Sequence, residues 1–480
     1  MDSVELDVEA AKKTADNKTE KDEEKELKEF KFYHGFLPRE DLLFVLKNEG
    51  DYLLRVSELG CGERTVDVDA SMSKRAIILS VLTANTQGEV PTASASIKLK
   101  NIIIRKHGTR YYVETSNFFD TIKELVEYYQ AHPAQTNKAK FVLKNPVFQQ
   151  RWEFQHSDVQ LGRLIGEGEY GEVREGTLKR RQQTIEVAIK LTKGTGDMSK
   201  EKIKEMMREA RLIRNFKHRN IVRLYGVAVD EQPLYILLEL VKGGALNVYL
   251  RVNGDKVSVF EKMNMCKGAA QGVEYLHKQS CIHMDLAARN CLYSEDKMVK
   301  ISDFGLSRLG TNYTIRTSRK LPIKWLAPET ILTFTFSLKT DVFSYGVMVF
   351  EIFTNGKEPW DGYSNTEVKK GLVEGKVLAL PDSCPEDFRN FVRDRIYVKD
   401  PNTRVTMSEV VAFLKQHLCS EQTTERPDEK SVFERMVAES PPKVVRTGGG
   451  DDMKETAEVP EKRKFKKTRG FHNKPASRRR

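Results

Sequence analysis

One ten-residue stretch constrains this chain more than any other feature. Residues 281–290 read CIHMDLAARN and lie between two apolar stretches, AAQGVEYLH and MVKISDFG. A His, an Asp, an Arg and an Asn in such surroundings are costly unless a site needs them. Asp285 is suited to accept the proton of an incoming hydroxyl. Asn290, five residues on, and Asp303 of SDFG are suited to hold a metal ion.

Upstream, LIGEGEYGEV follows Ile165 with Gly166, Gly168 and Gly171, spaced G-x-G-x-x-G. Such glycines let backbone approach phosphates closely, but a dinucleotide fold shows the same spacing. Two features separate the readings. Val173 lies two residues past the last glycine, and a second strand, IEVAIK, follows where the dinucleotide fold requires a helix. That strand ends at Lys190, suited to the α- and β-phosphates of a nucleotide, whereas an exposed strand-end lysine is the bland alternative. Glu209, in the helical KEMMREARLIRN, is a candidate partner for Lys190. ATP needs Mg²⁺ to neutralise charge across its β- and γ-oxygens, so an Asp–Asn pair near a general-base Asp is chemically coherent. LAPE, at 326–329, then leaves room for a loop with one tyrosine, Tyr313.

The chain's 480 residues suffice for several cores. Residues 1–29 are dominated by Lys and Glu and are expected to form a disordered charged arm. A globular region, 30–147, begins at FKFYHGFLPRED. It carries strand-like DYLLRV, RAIILSVL, IIIRKHGTRYYVE and KFVL, with helical patterns in PREDLLFVLKN and FDTIKELVEYYQAHP. TANTQGEVPTASAS reads as a long loop. Residues 148–156 read as a linker, 157–419 as a second globular region with strands before helices, and 420–480 as a disordered tail. No apolar run is long enough to span a membrane. Cys61, Cys266, Cys281, Cys291, Cys384 and Cys419 have no paired metal spacing and read as reduced cytosolic thiols. The net charge of +11 comes mostly from 461–480, where ten Lys/Arg accompany one Glu. This basic tail is expected to make loose contact with anionic membrane surface; nucleic acid is not an expected partner.

Residues 157–419 resemble a eukaryotic protein kinase through these six ordered motifs. The resemblance implies a two-lobed fold with ATP and Mg²⁺ between the lobes, and places Val173, Ala188 and Leu292 around the adenine. It makes Leu238 the gatekeeper and Glu239–Val241 the hinge. It implies that Asp341 braces the catalytic loop and that Arg404 pairs with Glu329. LAARN, with Arg289 supplying the cation, and LPIKWLAPE are similar to tyrosine kinases.

FYHGFLPRED and GDYLLRVSE resemble the start and the phosphate-binding strand of an SH2 domain. A phosphotyrosine carries nearly two negative charges, and a buried Arg can fork two charge-assisted bonds onto it. Arg55 is that candidate, with Arg39 and Ser57 completing the pocket. Asn101 stands where many SH2 domains carry His, and Ile78 and Ile103 stand at often polar places. Those departures imply weaker phosphate binding.

The expected fold class is therefore α+β: an SH2 domain, a central antiparallel sheet flanked by two helices, followed by a two-lobed kinase. The junction QQRWEFQHSDVQLGRLIGEGEYGEV resembles the Fes/Fer group, in a short form without the F-BAR module. The Src-, Csk- and Abl-like groups are runners-up, disfavoured by Asp2 at the myristoylation position and by the lack of room for an SH3 domain. The expected function is a cytoplasmic, non-receptor protein tyrosine kinase, peripheral at the plasma membrane, acting on protein tyrosines and directed by phosphotyrosine proteins. The alternative is an SH2 adaptor with a weak or inactive kinase domain. Met284 stands where kinases of this type carry an Arg that answers to loop phosphate, so control through Tyr313 is expected to be reduced, with Arg308 left to hold a phosphate.

Overall fold

The computed structural model describes residues 22–58, 75–84, 97–136, 139–167, 171–191, 199–316 and 321–424. Gly168, the long loop at 85–96 and the basic tail lie outside the described residues.

Residues 22–29, which the charge run assigns to the arm, form helix α1 instead. Its charges find partners on the domain. Glu23 accepts from Tyr111 Oη at 2.7 Å and Lys106 Nζ at 3.3 Å, and Lys28 pairs with Glu24 and Glu231, while Leu27 is buried. After Pro38 comes α2 (Arg39–Val45), with Leu42 and Val45 turned inward. Strands β1 (Asp51–Glu58), β2 (Arg75–Ala84), β3 (Ile97–His107) and β4 (Arg110–Tyr112) form an antiparallel sheet in the order β4-β3-β2-β1. The stretch IIIRKHGTRYYVE is a hairpin, not one strand. Gly108, at φ +60°, turns the chain where an L side chain rarely can. Helix α3 (Ile122–Ala131) begins where the Thr121 side chain accepts from Glu124 N. A small hairpin, β5 (Ala134–Thr136) and β6 (Ala139–Phe141), precedes β7 (Asn145–Pro146), which extends the sheet parallel to β1.

The linker does more than connect. Within it, β8 (Glu153–Phe154) joins the next sheet, pairing parallel with β12 (Leu224–Ala228). The remaining strands are β9 (Val159–Glu167), β10 (Glu172–Arg180), β11 (Gln183–Leu191) and β13 (Tyr235–Glu239), in the order β8-β12-β13-β11-β10-β9. One long helix, α4 (Lys200–Ile213), completes this N-lobe, with Ser199 capping its start.

The C-lobe is mainly helical. Helices α5 (Leu246–Asn253) and α6 (Val259–Lys278) lead into the site through β14 (Cys281–Ile282), β15 (Cys291–Tyr293) and β16 (Val299–Ile301). Strands β17 (Arg308–Leu309) and β18 (Asn312–Thr314) follow. Then come α7 (Pro328–Thr333), β19 (Thr335–Ser337) and the buried α8 (Leu338–Phe353). Helices α9 (Asn365–Glu374), α10 (Glu386–Phe391) and α11 (Met407–Thr424) close the lobe, the last running past residue 419.

The first domain and the N-lobe share a core. Leu37, Leu42 and Val45 belong to the same buried cluster as Ile203, Met206, Met207 and Ala210 of α4. At its edge Asp41, fully buried, accepts a two-pronged bond from Arg211 at 2.8 and 2.6 Å. Gly35 makes the close approach possible. Its backbone sits at φ +54°, and a Cβ there would lie 2.0 Å from Val229 O. Beside it His34 bonds Glu153 Oε2 at 2.8 Å through Nδ1 and Val147 O at 2.9 Å through Nε2. Two acceptors on one ring require both nitrogens to carry hydrogen, so the imidazolium form is selected. Burial opposes that charge, yet the bond to Glu153 outweighs it and the His34 pKa is raised.

This junction predicts a pH dependence. A raised histidine pKa contributes stability that is fully present below about pH 6.5 and fades as pH climbs through the folded-state value. His34→Gln should cost roughly 2 kcal/mol at pH 6, the size of a hydrogen bond to a charged group. Its deficit relative to wild type should shrink by pH 8. Denaturant unfolding at both pH values measures this; a deficit that grows with pH would refute the protonated pair.

Candidate active site and phosphate pocket

Local folding brings the separated sequence motifs into one cleft. β11 carries Lys190 opposite Val173 of β10, and Ala188 faces Leu238 of β13. Gly166 pairs with Val173, so the first glycine of the G-x-G-x-x-G stretch lies beside the same strands; Ile165 next to it is exposed. Gly171 lies in the turn into β10, whereas the position of Gly168 is outside the described residues. α4 presents Glu209 to the lysine: Lys190 Nζ lies 2.8 and 2.9 Å from its two carboxylate oxygens and 3.4 Å from Asp303 Oδ1. Burial disfavours the Lys190 charge, but Glu209 and Asp303 together hold its pKa above the ordinary lysine range. Partial loss of water works to raise the Asp303 pKa, yet the Lys190 charge prevails and the pKa is lowered. α4 also reaches the SDFG segment directly, with Arg208 Nη2 donating to Gly305 O at 2.7 Å.

The opposite wall is the stretch 281–290. Asn290 Nδ2 donates to Asp285 O at 2.8 Å and Oδ2 at 2.7 Å, and Arg289 bonds Asp285 Oδ1. Burial raises the Asp285 pKa, and Arg289 and His283 only partly offset it. His283, fully buried, ties this loop to the metal-side segment through Ser302 O at 3.0 Å. Asp341 on α8 accepts from His283 N at 2.7 Å and Met284 N at 3.0 Å. Those bonds hold Met284 at φ +70°, a strained value for a residue with a side chain. Leu292 lies on β15, half-buried against the C-lobe core. Glu239 ends β13, receives Lys300 Nζ at 3.0 Å and leads to the buried Val241. Arg404, fully buried, bonds Glu329 at 2.6 and 3.1 Å.

One position missed in the sequence organises this wall, and a second miss lies at the edge between the first domain and α4. Glu351, deep in α8, accepts from Ala288 N at 2.8 Å and from Trp325 Nε1 at 3.0 Å. Burial pushes its pKa up to about 7 against those bonds. The Arg289 guanidinium lies over the Trp325 ring at 4.2 Å, so one carboxylate fixes both the loop of Asp285 and the surface beside it. An acid inside the apolar run GVMVFEIF was the available signal. The second is the Asp41–Arg211 pair, whose partners lie 170 residues apart and leave no local pattern.

Tyr313 sits on β18, held by pairing with Phe336 of β19. Arg308 lies over its ring at 5.0 Å. Met284, Ile282, Leu326 and Phe336 form a buried cluster against which Tyr313, Ile315 and Leu321 pack. Met284 thus bears directly on the loop that carries the tyrosine.

A second site lies in the N-terminal domain. Arg55 of β1 is buried; its Nε donates to Ser80 Oγ and its Nη2 to Asn101 Oδ1, both at 3.1 Å. These partners are neutral. Burial first, and Arg39 second, push the Arg55 pKa down to about 10. Arg39, Ser57, Ile78 and Ile103 line the same cleft. A buried guanidinium held by neutral oxygens and repelled by a second arginine is chemically suited to an anion.

Both domains match known families. The family model for protein tyrosine and serine/threonine kinases matches residues 159–414, and the SH2 domain model matches 32–129. The transforming protein Fps of avian sarcoma virus (strain PRCII) is 34% identical over 80% of this chain and 68% of its own length. Human tyrosine-protein kinase Fer is 34% identical over 81% of this chain, which spans only 44% of Fer. Fer-related kinase 1 of Caenorhabditis elegans is 31% identical over 82% of this chain and 94% of its own length. An SH2 domain docked on a kinase N-lobe, with relatives of this kind across most of the chain, places the protein in the Fps/Fer group of SH2-containing tyrosine kinases.

Proposed function

We propose that the chain is a non-receptor protein tyrosine kinase that transfers the ATP γ-phosphate to protein tyrosines, directed by an SH2 domain that reads phosphotyrosine. Residues 30–147 would form the reader, 148–156 the junction and 157–419 the kinase. The observation that carries this reading is the meeting of Lys190, Glu209, Asp285, Asn290 and Asp303 in one cleft. An adaptor with an inactive kinase fold has no need of that pairing.

Lys190, fixed by Glu209, would draw the α- and β-phosphates into place. Val173, Ala188 and Leu292 would enclose the adenine, with Leu238, Glu239 and Val241 along its edge and Ile165, Gly166, Gly168 and Gly171 above the phosphates. Asp303 and Asn290 offer oxygen ligands and no thiol or imidazole, which suits Mg²⁺. No cage of three or more metal-binding His, Cys, Asp or Glu exists among the described residues, consistent with an ion held largely by nucleotide and water. When bound, Mg²⁺ neutralises charge developing on the phosphoryl oxygens. Asp285 would accept the tyrosine proton; a raised pKa brings it toward the range of a useful base. Arg289 would fix that carboxylate and, with Trp325, offer a surface to the phenol ring. In the reader, Arg55 would fork onto the phosphate, with Arg39 and Ser57 beside it. The ten cations of 461–480 support loose contact with anionic lipid, each contributing roughly 1 kcal/mol near such a surface.

With Mg-ATP and a tyrosine polymer as substrate, Asp285→Asn and Lys190→Met should each lower kcat/KM by about 10³-fold while remaining folded. Wild-type turnover in Asp285→Asn, or no phosphotransfer by the wild type, would refute the reading.

Met284 adds a statement about control. Apolar packing around Met284 supports an ordered loop before Tyr313 is phosphorylated, where an Arg would instead wait for the phosphate charge. Met284→Arg buries an unpaired cation in that cluster. It should lower basal kcat/KM roughly tenfold and restore it on Tyr313 phosphorylation, whereas wild type should change little. Activation of wild type by orders of magnitude would contradict this.

A further inference from the structure

The cleft around Arg55 is not confined to one domain. Its volume is about 360 Å³, and its walls include Arg39, Arg55 and Ser57 on the SH2 side and Lys200, Ile203 and Lys204 of α4 on the kinase side. We propose that the phosphotyrosine pocket is a two-domain site, in which Lys200 and Lys204 of the kinase complete the cationic lining that Arg39 and Arg55 begin. This rests on the reading of Arg55 as a phosphate receptor.

Charge carries the argument. Among the described residues, the lining holds four cations, Arg39, Arg55, Lys200 and Lys204, and one carboxylate, Glu40. A phosphotyrosine brings close to two negative charges, so it matches a lining that one arginine would neutralise only in part. Arg55 supplies the buried fork, with its present bonds to neutral oxygens. Lys204 is held by Glu40 at 3.2 Å, and both side chains are nearly half exposed. An ion pair so solvated is weak and exchangeable. A phosphate dianion therefore competes effectively with the single charge of Glu40 for Lys204. Ile203, buried on α4, adds an apolar wall shared by the two domains. The departures at Ile78 and Ile103 remove polar partners from the SH2 side of this cleft, and Asn101 turns its oxygen to Arg55 and Ser80. The α4 lysines supply the charge from the other side.

The same α4 carries Glu209, so an occupant of the cleft touches the helix that sets Lys190.

The test is isothermal titration of the full chain with N-acetyl-phosphotyrosine amide, its unphosphorylated form and inorganic phosphate. Lys200→Ala with Lys204→Ala should weaken phosphotyrosine binding roughly fivefold, and Lys→Arg at both positions should restore it. Glu40→Gln should tighten binding about threefold, because it frees Lys204. A merely structural interface role for these residues would make Glu40→Gln weaken binding, like the lysine changes, and that result overturns the proposal. So does an unchanged Kd in the Lys→Ala pair while Arg55→Leu abolishes binding, which would leave the pocket to the SH2 domain alone. If Arg55→Leu has no effect, or inorganic phosphate binds as tightly as phosphotyrosine, the underlying reading of the pocket falls instead.

Discussion

The Lys190–Glu209 pair is the contact on which the rest of the architecture turns. Neither partner is stable there alone. An ammonium and a carboxylate taken out of water are each expensive, and their attraction offsets that cost only with good geometry. The geometry is set by α4, because Glu209 rides on that helix while Lys190 is fixed in a sheet. Any shift of α4 by a fraction of a turn separates them. A buried ion pair of this kind adds little net stability, but it makes the position of one helix decisive for nucleotide placement.

The chain secures α4 through the SH2 domain. α2 of the SH2 domain packs Leu42 and Val45 into the cluster that includes Ile203, Met206 and Met207, and Asp41 receives both prongs of Arg211. Arg208 fastens the other side of the helix to Gly305. The SH2 domain is thereby part of the packing that holds the catalytic pair. The C-lobe is braced independently. Asp341 holds the strained backbone at Met284, and Glu351 joins Ala288 to Trp325. Two buried carboxylates on one helix, α8, position the loop of Asp285 without touching a substrate.

Much of this was legible in the sequence. The catalytic residues are motif-bound, because phosphoryl transfer requires particular side chains at short, ordered spacings. Lys190 and Glu209 were paired on that basis, and they meet at 2.8 Å. The pairing of Arg404 with Glu329 is implied by the kinase resemblance alone, and the two are bonded. The failures have a common cause. The helix at 22–29 looks like a solvated charge run, since its partners Tyr111, Lys106 and Glu231 are supplied by distant parts of the chain. The linker looks featureless because its strand, Glu153–Phe154, is too short to show a period and exists only by pairing with β12. Asp41 reads as an ordinary first-turn acid of a surface helix until Arg211 is brought to it. Local chemistry leaves a local signature, whereas docking between domains does not.

A double-mutant cycle on Asp41 and Arg211, read as kcat/KM for phosphorylation of a tyrosine polymer, tests most directly whether SH2 docking holds the catalytic pair. Asp41→Asn and Arg211→Gln should each reduce kcat/KM by roughly tenfold in chains that remain folded. The double variant should be no worse than either alone, a coupling of about 1.4 kcal/mol. Unchanged phosphotransfer in the single variants, or losses that simply add, would contradict the account.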